Sequence, residues 1–363
     1  MGKIANFIHL IPQRHPNILA VALGCLLVIV ILAGIEGFLR TRLWWQNVPG
    51  KGPAKSNLYR IVERDSRLSF RGTPSSSLNE ILTRGGETIY EAKYHLNAES
   101  QRRTCCPEPA APTCTALFVG CSVTFGSGVS DDETLPSRFC KYQSRYQAIN
   151  AGFIGYGLQQ VWLQVTDSTL LDRLPSETGI IVYTFIDDHI NRLLGTPAVL
   201  TGWNYPLPWL EAGEDGGIVY RGTFADRDPL QYFLYRYCGR LHLYRFLEYR
   251  LGGDRAITPA TSSGIILAAR IIEDTAEKIE EARSGFRLWV VLFPESTLGT
   301  ALQQELDKTL VNILDCQNLL YGNTRPRDDF FYRDSASAEW GHPKALVYDL
   351  VARNMAENIP PCN

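Results

Sequence analysis

Apolar positions along the chain form one long uncharged segment near the N-terminus and a series of shorter runs after residue 114. The uncharged segment covers residues 16–35. A helix of about 20 residues is long enough to cross a hydrocarbon core of about 30 Å. Lys3 and Arg14 precede the segment, and the pair Trp44–Trp45 that follows it is typical of an anchor at the membrane interface. The pattern therefore predicts one transmembrane helix in contact with the lipid bilayer through residues 16–35.

Two other interpretations of this segment compete with the anchor. A cleaved signal peptide has a shorter apolar core and is followed by a small-x-small cleavage site, and the sequence shows neither. A buried core helix is the remaining alternative. The length and the flanking residues favour a retained single-pass anchor.

The cysteines, rather than the flanking charges, indicate on which side of the membrane the rest of the chain lies. More basic residues follow the apolar segment than precede it, but long domains are translocated largely regardless of flanking charge. Eight of the nine cysteines lie outside the segment, which favours an oxidising compartment. We therefore expect a single-pass inner (cell) membrane protein with the bulk of the chain on the extracytoplasmic, periplasmic side.

Residues 47–114 differ in composition from the segments on either side. The stretch 47–57 is rich in Pro, Gly and Lys and is typical of a juxtamembrane linker. Short alternating runs follow, such as Thr88–Leu96, and these predict the strands of a small antiparallel, β-rich appendage at 58–104.

A proline-rich stretch with three cysteines ends this region. Cys105 or Cys106 could close a disulfide loop onto Cys114. A metal site is the alternative, but no histidine lies nearby. We predict a disulfide and no metal.

From residue 115 the apolar runs are short and alternate with helical patterns. Uniformly apolar runs are typical of strands buried on both faces, so they predict a parallel sheet between two layers of helices. The clearest helices are predicted at 264–283, which has one apolar and one charged face, and at Pro343–Asn358. The predicted strands are 115–121, 146–151, 179–186, 286–293 and a weaker one near 328–332.

The sequence thus divides into an N-terminal segment with its anchor (1–46), a linker with the appendage (47–114) and an α/β domain (115–363). Residues 200–255 are an insertion in which aromatic residues alternate with arginines. It predicts an amphipathic helix packed on the domain with its arginines facing solvent. A lid over the active site or a membrane-surface contact is the alternative.

The α/β domain begins with residues that suit nucleophilic catalysis. The apolar run 115–121 ends in Ser122 and a loop of small residues, as when a buried parallel strand delivers a nucleophile to the carboxyl edge of a sheet. Far downstream, Glu339 precedes His342 by three residues. A serine, a base and an acid that orients the base are the minimum parts for acyl transfer through a covalent intermediate.

These motifs resemble those of the SGNH (GDSL-type) hydrolase superfamily, specifically its membrane-anchored bacterial branch. The resemblance rests on four short blocks, which are Gly120–Gly126, Asn150–Gly157, Thr184–His189 and Glu339–His342. It implies a three-layer α/β/α domain with a mostly parallel, flavodoxin-like sheet. It also implies that Ser122 is the nucleophile, His342 the base and Glu339 the residue that orients it.

The resemblance further implies an oxyanion hole made by the backbone N–H groups of Ser122 and Gly155 and by the third block. There the family has an asparagine, whereas this chain has Asp187. An ionised carboxylate would repel an oxyanion, and losing one donor costs about 10²–10³ in rate. Protonation of Asp187, or another donor such as His189 or Arg192, would restore the function.

Several of these residues also have structural interpretations. Gly155 could serve only as a turn glycine with positive φ. Asp188 and His189 could satisfy each other at a strand end. Cys121, beside the nucleophile, is more typical of a small apolar filler than of a second nucleophile.

We therefore expect a membrane-anchored serine esterase that acts on an ester, with O-acyl groups on a glycan suggested by the resemblance. An O-acyltransferase of cell-surface polysaccharide and a catalytically inactive subunit of a membrane complex are the alternatives. The net charge of −2 gives no reason to expect nucleic-acid binding. The sequence has no Walker loop and no dinucleotide fingerprint, and no cofactor is predicted.

Overall fold

The computed structural model describes residues 16–45, 55–84, 86–106, 114–166, 168–196, 199–200, 205–214, 216–239, 241–244, 258–333 and 340–362. The first element, α1 (Pro16–Trp45), is a 30-residue helix. Its stretch Ala20–Thr41 is long and apolar enough to cross a membrane, and none of its most apolar window is buried against the rest of the protein. Length and composition alone give this result, and a signal sequence would meet the same criteria.

The centre of the molecule is a five-stranded parallel sheet, as predicted. Its strands in chain order are β5 (Cys114–Val119), β6 (Tyr146–Asn150), β7 (Gly179–Phe185), β10 (Phe286–Leu292) and β11 (Asn312–Asp315). They lie in the order β11-β10-β7-β5-β6, and every neighbouring pair is parallel. This is the flavodoxin-like order, in which the chain continues from β5 towards one edge of the sheet and from β7 towards the other. Ligands bind such sheets at the carboxyl ends of the strands beside this switch point.

Helices cover both faces of the sheet because alternate strand residues are apolar on each side. Leu117 and Val119 belong to a core with α4 (Leu158–Thr166) and α9 (Thr258–Ala282). Ala116 and Phe118 point to the other face. There α3 (Leu135–Tyr142) and α11 (Ala345–Asn358) cover the sheet. The predicted three-layer arrangement is therefore confirmed.

Two segments differ from the sequence prediction. The fifth strand of the sheet is β11, whereas the predicted strand near 328–332 forms a 3₁₀ turn followed by β12 (Phe331–Arg333). The C-terminal helix begins at Ala345, because Pro343 ends β13 (Trp340–Pro343), which pairs antiparallel with β12 outside the main sheet. His342 therefore lies in a short strand that precedes the helix.

The region before the sheet consists of two antiparallel hairpins. These are β1 (Val62–Asp65) with β2 (Ser69–Gly72), and β3 (Ser77–Arg84) with β4 (Glu87–His95). Their buried side chains share an apolar cluster with Phe125 and Phe153 of the sheet domain. The hairpins are thus packed on the part of the domain that holds the candidate site.

The disulfides differ from the predicted loop onto Cys114. Cys106 pairs with Cys140, and Cys114 pairs with Cys362. The Cα atoms of the pairs are 5.2 Å and 6.0 Å apart, both within the usual range for disulfides. Sequence proximity suggested the local pairing, but β5 places Cys114 next to the C-terminal tail instead.

The insertion forms a hairpin of β8 (Pro208–Ala212) and β9 (Ile218–Thr223), followed by α7 (Phe224–Arg227) and α8 (Pro229–Cys238). Of the arginines expected to face solvent, Arg236 is partly buried, and Arg240, Arg245 and Arg250 lie outside the described residues. The outer side of α8 exposes apolar residues, while Tyr232 and Tyr235 lie partly buried against the core. Residues 201–204, 215, 240 and 245–255 of the predicted insertion lie outside the described residues.

Candidate active site

Ser122 stands where β5 gives way to the short helix α2 (Ser122–Phe125). Gly120, two residues earlier, has a φ of +145°, which favours glycine, and a side chain there would overlap the Thr124 hydroxyl. Ser122 is only 6% exposed, and within the described residues its hydroxyl has no hydrogen-bond partner. Cys121 is fully buried among apolar side chains, which agrees with the predicted role of a filler.

The loop after α2 is held by Arg102, a residue that the sequence motifs do not single out. One guanidinium nitrogen donates to the carbonyl oxygens of Phe125 at 2.7 Å and Gly126 at 2.6 Å. The other terminal nitrogen donates to the Val129 carbonyl at 2.6 Å, and Nε donates to Asp131 Oδ1 at 3.0 Å. The Arg102 side chain has no solvent exposure. The loop is therefore fixed by one buried cation that lies just beyond β4 in the sequence.

A second set of contacts fixes the same loop at Gly128. Its N–H donates to the Tyr94 hydroxyl at 2.8 Å, and that hydroxyl donates to the buried Glu80 carboxylate at 2.5 Å. The Gly128 carbonyl accepts from the Tyr332 hydroxyl at 2.8 Å. Tyr94 and Glu80 belong to the β3–β4 hairpin, so the appendage and β12 together hold the backbone that follows the candidate nucleophile.

The second block, Asn150–Gly157, lies against the turn that carries Ser122. The Asn150 side chain at the end of β6 donates to the Thr124 carbonyl at 3.0 Å and accepts from the Gly152 N–H at 3.2 Å. The Phe153 N–H donates to the Gly120 carbonyl at 3.0 Å. A side chain at Gly152 would collide with Thr124, so glycine permits this close approach. The two blocks therefore lie side by side at the carboxyl edge of the sheet.

Gly155 lies in the turn that continues from this contact. It is buried and has a φ of +84°, which agrees with its interpretation as a turn glycine. Within the described ranges its N–H donates to no protein acceptor, and neither does the N–H of Ser122. Among the described residues, both predicted backbone donors thus lack a protein acceptor.

The Arg192 side chain supports the turn at Gly155. The guanidinium donates to the Tyr156 carbonyl at 2.5 Å and pairs with Asp188 Oδ2 at 2.5 Å. The Arg192 side chain is 7% exposed and the Asp188 side chain 45% exposed. Arg192, which was named as a possible oxyanion donor in place of Asp187, is therefore hydrogen-bonded to the backbone beside Gly155. It positions that turn.

The Asp187 carboxylate is hydrogen-bonded to residues 296–298 rather than to the second block. Its carboxylate accepts from the Ser296 hydroxyl at 2.5 Å, from the Thr297 N–H at 2.8 Å and from the Leu298 N–H at 3.0 Å. The Thr297 hydroxyl adds a fourth bond at 2.6 Å. Four donors suit an ionised carboxylate, which has no hydrogen to give. These contacts favour a structural role, in which Asp187 anchors the loop after β10, over that of an oxyanion donor.

His189 does not pair with Asp188, contrary to one of the structural interpretations. Its Nδ1 lies 2.6 Å from the Tyr183 hydroxyl, and its ring stacks on that tyrosine. Burial, reinforced by the nearby Arg192 charge, holds the pKa of His189 well below its ordinary value. A neutral ring buried under the sheet edge suits a core role, and the direct partner of Asp188 is Arg192.

The strand that carries His342, β13, is a neighbour of the turn that carries Ser122. Residues of α2 and β13 approach one another within 8 Å between Cα atoms. His342 is half-buried and has a contact within the protein. Glu339 lies outside the described residues, so its predicted role stays a prediction. The structure thus brings the serine and histidine blocks together at one edge, at the level of the backbone.

A wide groove of about 980 Å³ lies between the hairpins and the edge strand β6. Its lining is polar and includes Arg103, Gln147 and Arg173. Ser122 is not part of that lining. The lining does include Asn150, Phe153 and Tyr156 of the second block, so the groove borders the candidate active site without including Ser122.

Comparison with known proteins finds solved structures of low similarity. No family model matches the sequence, and no curated protein matches it. A solved structure of a lipolytic G-D-S-L family member from Veillonella parvula is 12% identical, with a TM-score of 0.38, and covers 68% of this chain and 98% of its own. The family 3 carbohydrate esterase of Clostridium thermocellum is 9% identical, with a TM-score of 0.35 and coverages of 68% and 94%.

A catalytic mutant of an acetylxylan esterase from Geobacillus stearothermophilus is also 9% identical, with a TM-score of 0.35 and coverages of 69% and 96%. With TM-scores under 0.5, the function of this chain has to follow from its own residues.

Proposed function

We propose that the chain is an SGNH-type serine esterase that is anchored in a membrane and cleaves an ester by acyl transfer through Ser122. The observation that carries the proposal is the meeting of α2, the Gly155 turn and β13 at the carboxyl edge of the sheet, beside its switch point. A nucleophile candidate, available N–H groups and an imidazole come from three distant parts of the sequence. Such convergence is what acyl transfer requires.

The proposed mechanism has two steps. His342 takes the Ser122 proton as the serine oxygen attacks the ester carbonyl, and Glu339 keeps the imidazole in the useful tautomer. The N–H groups of Ser122 and Gly155 stabilise the oxyanion, and His342 returns the proton to the departing alcohol. Water activated by His342 then releases the acyl group and frees Ser122. An O-acylated glycan is the proposed substrate, with a sugar hydroxyl as the alternative acceptor.

The oxyanion hole in this proposal rests on two backbone donors, because Asp187 is occupied by the 296–298 loop. Removal of one oxyanion donor costs about 10²–10³ in rate in a serine hydrolase. The enzyme is therefore expected to be slower than a relative with three donors and still active.

The proposed location is a membrane with the domain on its oxidising side. Support comes from the apolar exposed α1 and from two cysteine pairs at disulfide distance. Of these, Cys114–Cys362 joins the two ends of the sheet domain. A reporter fused to the C-terminus tests the side, since a cytoplasmic signal contradicts this location.

The test of the chemistry is hydrolysis of a small acetyl ester and of an acetylated oligosaccharide by the full-length protein in detergent. Ser122→Ala and His342→Ala are expected to lower kcat/KM by about 10³-fold or more. Ser127→Ala is the matched control, because Ser127 is a buried serine in the same loop and should keep near wild-type activity. Equal activity in wild type and Ser122→Ala would contradict the proposal. Release of free acetate indicates hydrolysis, whereas an acetylated acceptor indicates transfer.

A further inference from the structure

Helix α8 turns an apolar stripe away from the protein. Leu230, Phe233, Leu234 and Tyr237 are 69%, 54%, 45% and 60% exposed. Their spacing of i, i+3, i+4 and i+7 places them on one side of the helix. Leu241, in the turn after α8, continues the row with 39% exposure. Monomeric soluble proteins rarely present so many large apolar side chains in one contiguous patch.

The helix itself is firmly placed, so the stripe is not a product of fraying. Asp228 caps α8 by accepting from the Gln231 N–H at 2.9 Å, and Pro229 follows as the first helical residue. The opposite side carries Tyr232 and Tyr235, which pack against the core cluster shared with the hairpins. One side of α8 therefore packs on the protein through two tyrosines, and the other side presents the apolar stripe to the surroundings.

A second observation shows what lies next to the stripe. Glu36 of α1 accepts from the His242 N–H at 3.0 Å and from the Leu243 N–H at 2.8 Å. Glu36 lies in the last third of the apolar stretch Ala20–Thr41. The turn that follows α8 is therefore attached to the end of the helix that we propose to cross the membrane.

The length of α8 confines the stripe to the neighbourhood of this attachment. A ten-residue helix is about 15 Å long, and only a few residues separate its end from His242. The composition beyond it is also suited to a lipid surface, because Arg240, Arg245 and Arg250 follow in the sequence. Arg40 and Arg42 lie at the same end of α1.

We propose that α8 is a second membrane contact, which lies in the plane of the lipid interface with Leu230, Phe233, Leu234 and Tyr237 inserted between headgroups. The partner is an anionic bilayer surface. This inference rests on the membrane anchor in the proposed function and goes beyond it, since one helix across a bilayer does not fix the orientation of the domain. With α8 bound as well, the sheet domain is held at two points.

Photo-cross-linking in the full-length protein tests the contact. The protein is reconstituted in vesicles of phosphatidylcholine and phosphatidylglycerol with p-benzoylphenylalanine in place of Phe233, Phe38 or Tyr321. Phe233 reports on α8, Phe38 on the anchor, and Tyr321 is an exposed aromatic control in the loop after β11. All three side chains are exposed, so the substitutions leave folding intact.

Lipid adducts at 233 and 38, with none at 321, are the expected result. Adducts at 38 without adducts at 233 would overturn the α8 contact and leave the anchor in place. The absence of adducts at both positions would contradict the anchor. Cross-links from 233 to a second copy of the chain would show that α8 is a dimer interface and would also overturn the inference.

Discussion

Replacing Arg102 with methionine should destabilise the protein far more than removing an ordinary surface arginine. Arg102 donates to three carbonyl oxygens of the loop that follows Ser122 and pairs with Asp131 at 3.0 Å, without solvent exposure. Methionine fills the space but leaves the carbonyls and a buried carboxylate without that partner. Asp131 keeps one contact, to His95 Nδ1 at 2.5 Å.

The magnitude follows from breaking a buried ion pair on one side, which costs about 3–5 kcal/mol. The retained His95 contact places the expected loss near the lower end, at about 3 kcal/mol. Arg221→Met is the matched control, because Arg221 pairs with Glu211 at a similar distance of 2.7 Å but with half of its side chain exposed. An exposed pair contributes about 0–1 kcal/mol. Arg102→Lys keeps the charge without the fork of donors and should lie between the two.

Urea unfolding of the detergent-solubilised protein, followed by tryptophan fluorescence, gives the free energies of unfolding. At urea concentrations where each variant is folded, Arg102→Met should also have a lower kcat, because the backbone after Ser122 has lost its support. A double-mutant cycle with Asp131→Asn should show a coupling of about 0.5–3 kcal/mol. A loss at Arg102 no larger than that at Arg221 would refute the proposed role of the buried guanidinium.

Three further predictions concern the disulfide, the buried histidine and the third block. Cys114→Ser with Cys362→Ser should lower the free energy of unfolding by about 2–5 kcal/mol, because the bond closes most of the α/β domain, and equal stability with and without the pair would contradict it. The folded-state pKa of His189 lies well below the unfolded value of about 6.5, so stability should fall by about 1.4 kcal/mol per pH unit as the pH drops below about 6.5. His189→Gln should remove that slope in unfolding measured from pH 7 to 5, and an unchanged slope would assign it to other groups. Asp187→Asn should cost about 1–3 kcal/mol without raising esterase activity, whereas a rise of about 10²-fold would show that the residue faces the oxyanion.

The strands of the sheet could be predicted because burial on both faces leaves a strong local signal. The runs ending near 121, 151, 186 and 293 all correspond to parallel strands. The edge strand β11 escaped prediction since it has only four residues, of which one is buried. The apolar residues Phe330 and Phe331 suggested a strand of the sheet. Phe331 instead begins β12, which pairs with β13, the strand that carries His342.

Candidate site residues could be proposed where chemistry constrains the residue type. Residues whose place depends on long-range packing could not be predicted. The elements that carry Ser122 and His342, α2 and β13, are neighbours, and the catalytic roles of the two residues stay predictions. Arg102 could not be recognised, because it is flanked by Gln101 and Arg103 and nothing in that polar stretch marks one arginine as buried. The engagement of Asp187 depends on residues more than a hundred positions away, which no local pattern reveals.

The central claim is that Ser122 is a nucleophile activated by His342. The most direct measurement is the site and rate of reaction with a fluorophosphonate, with the modified peptide identified by mass spectrometry. The proposed mechanism predicts one adduct on Ser122 in the wild type, none there in Ser122→Ala, and labelling slowed by about 10³-fold or more in His342→Ala. An unlabelled wild type, or labelling at the same rate in His342→Ala, would contradict it.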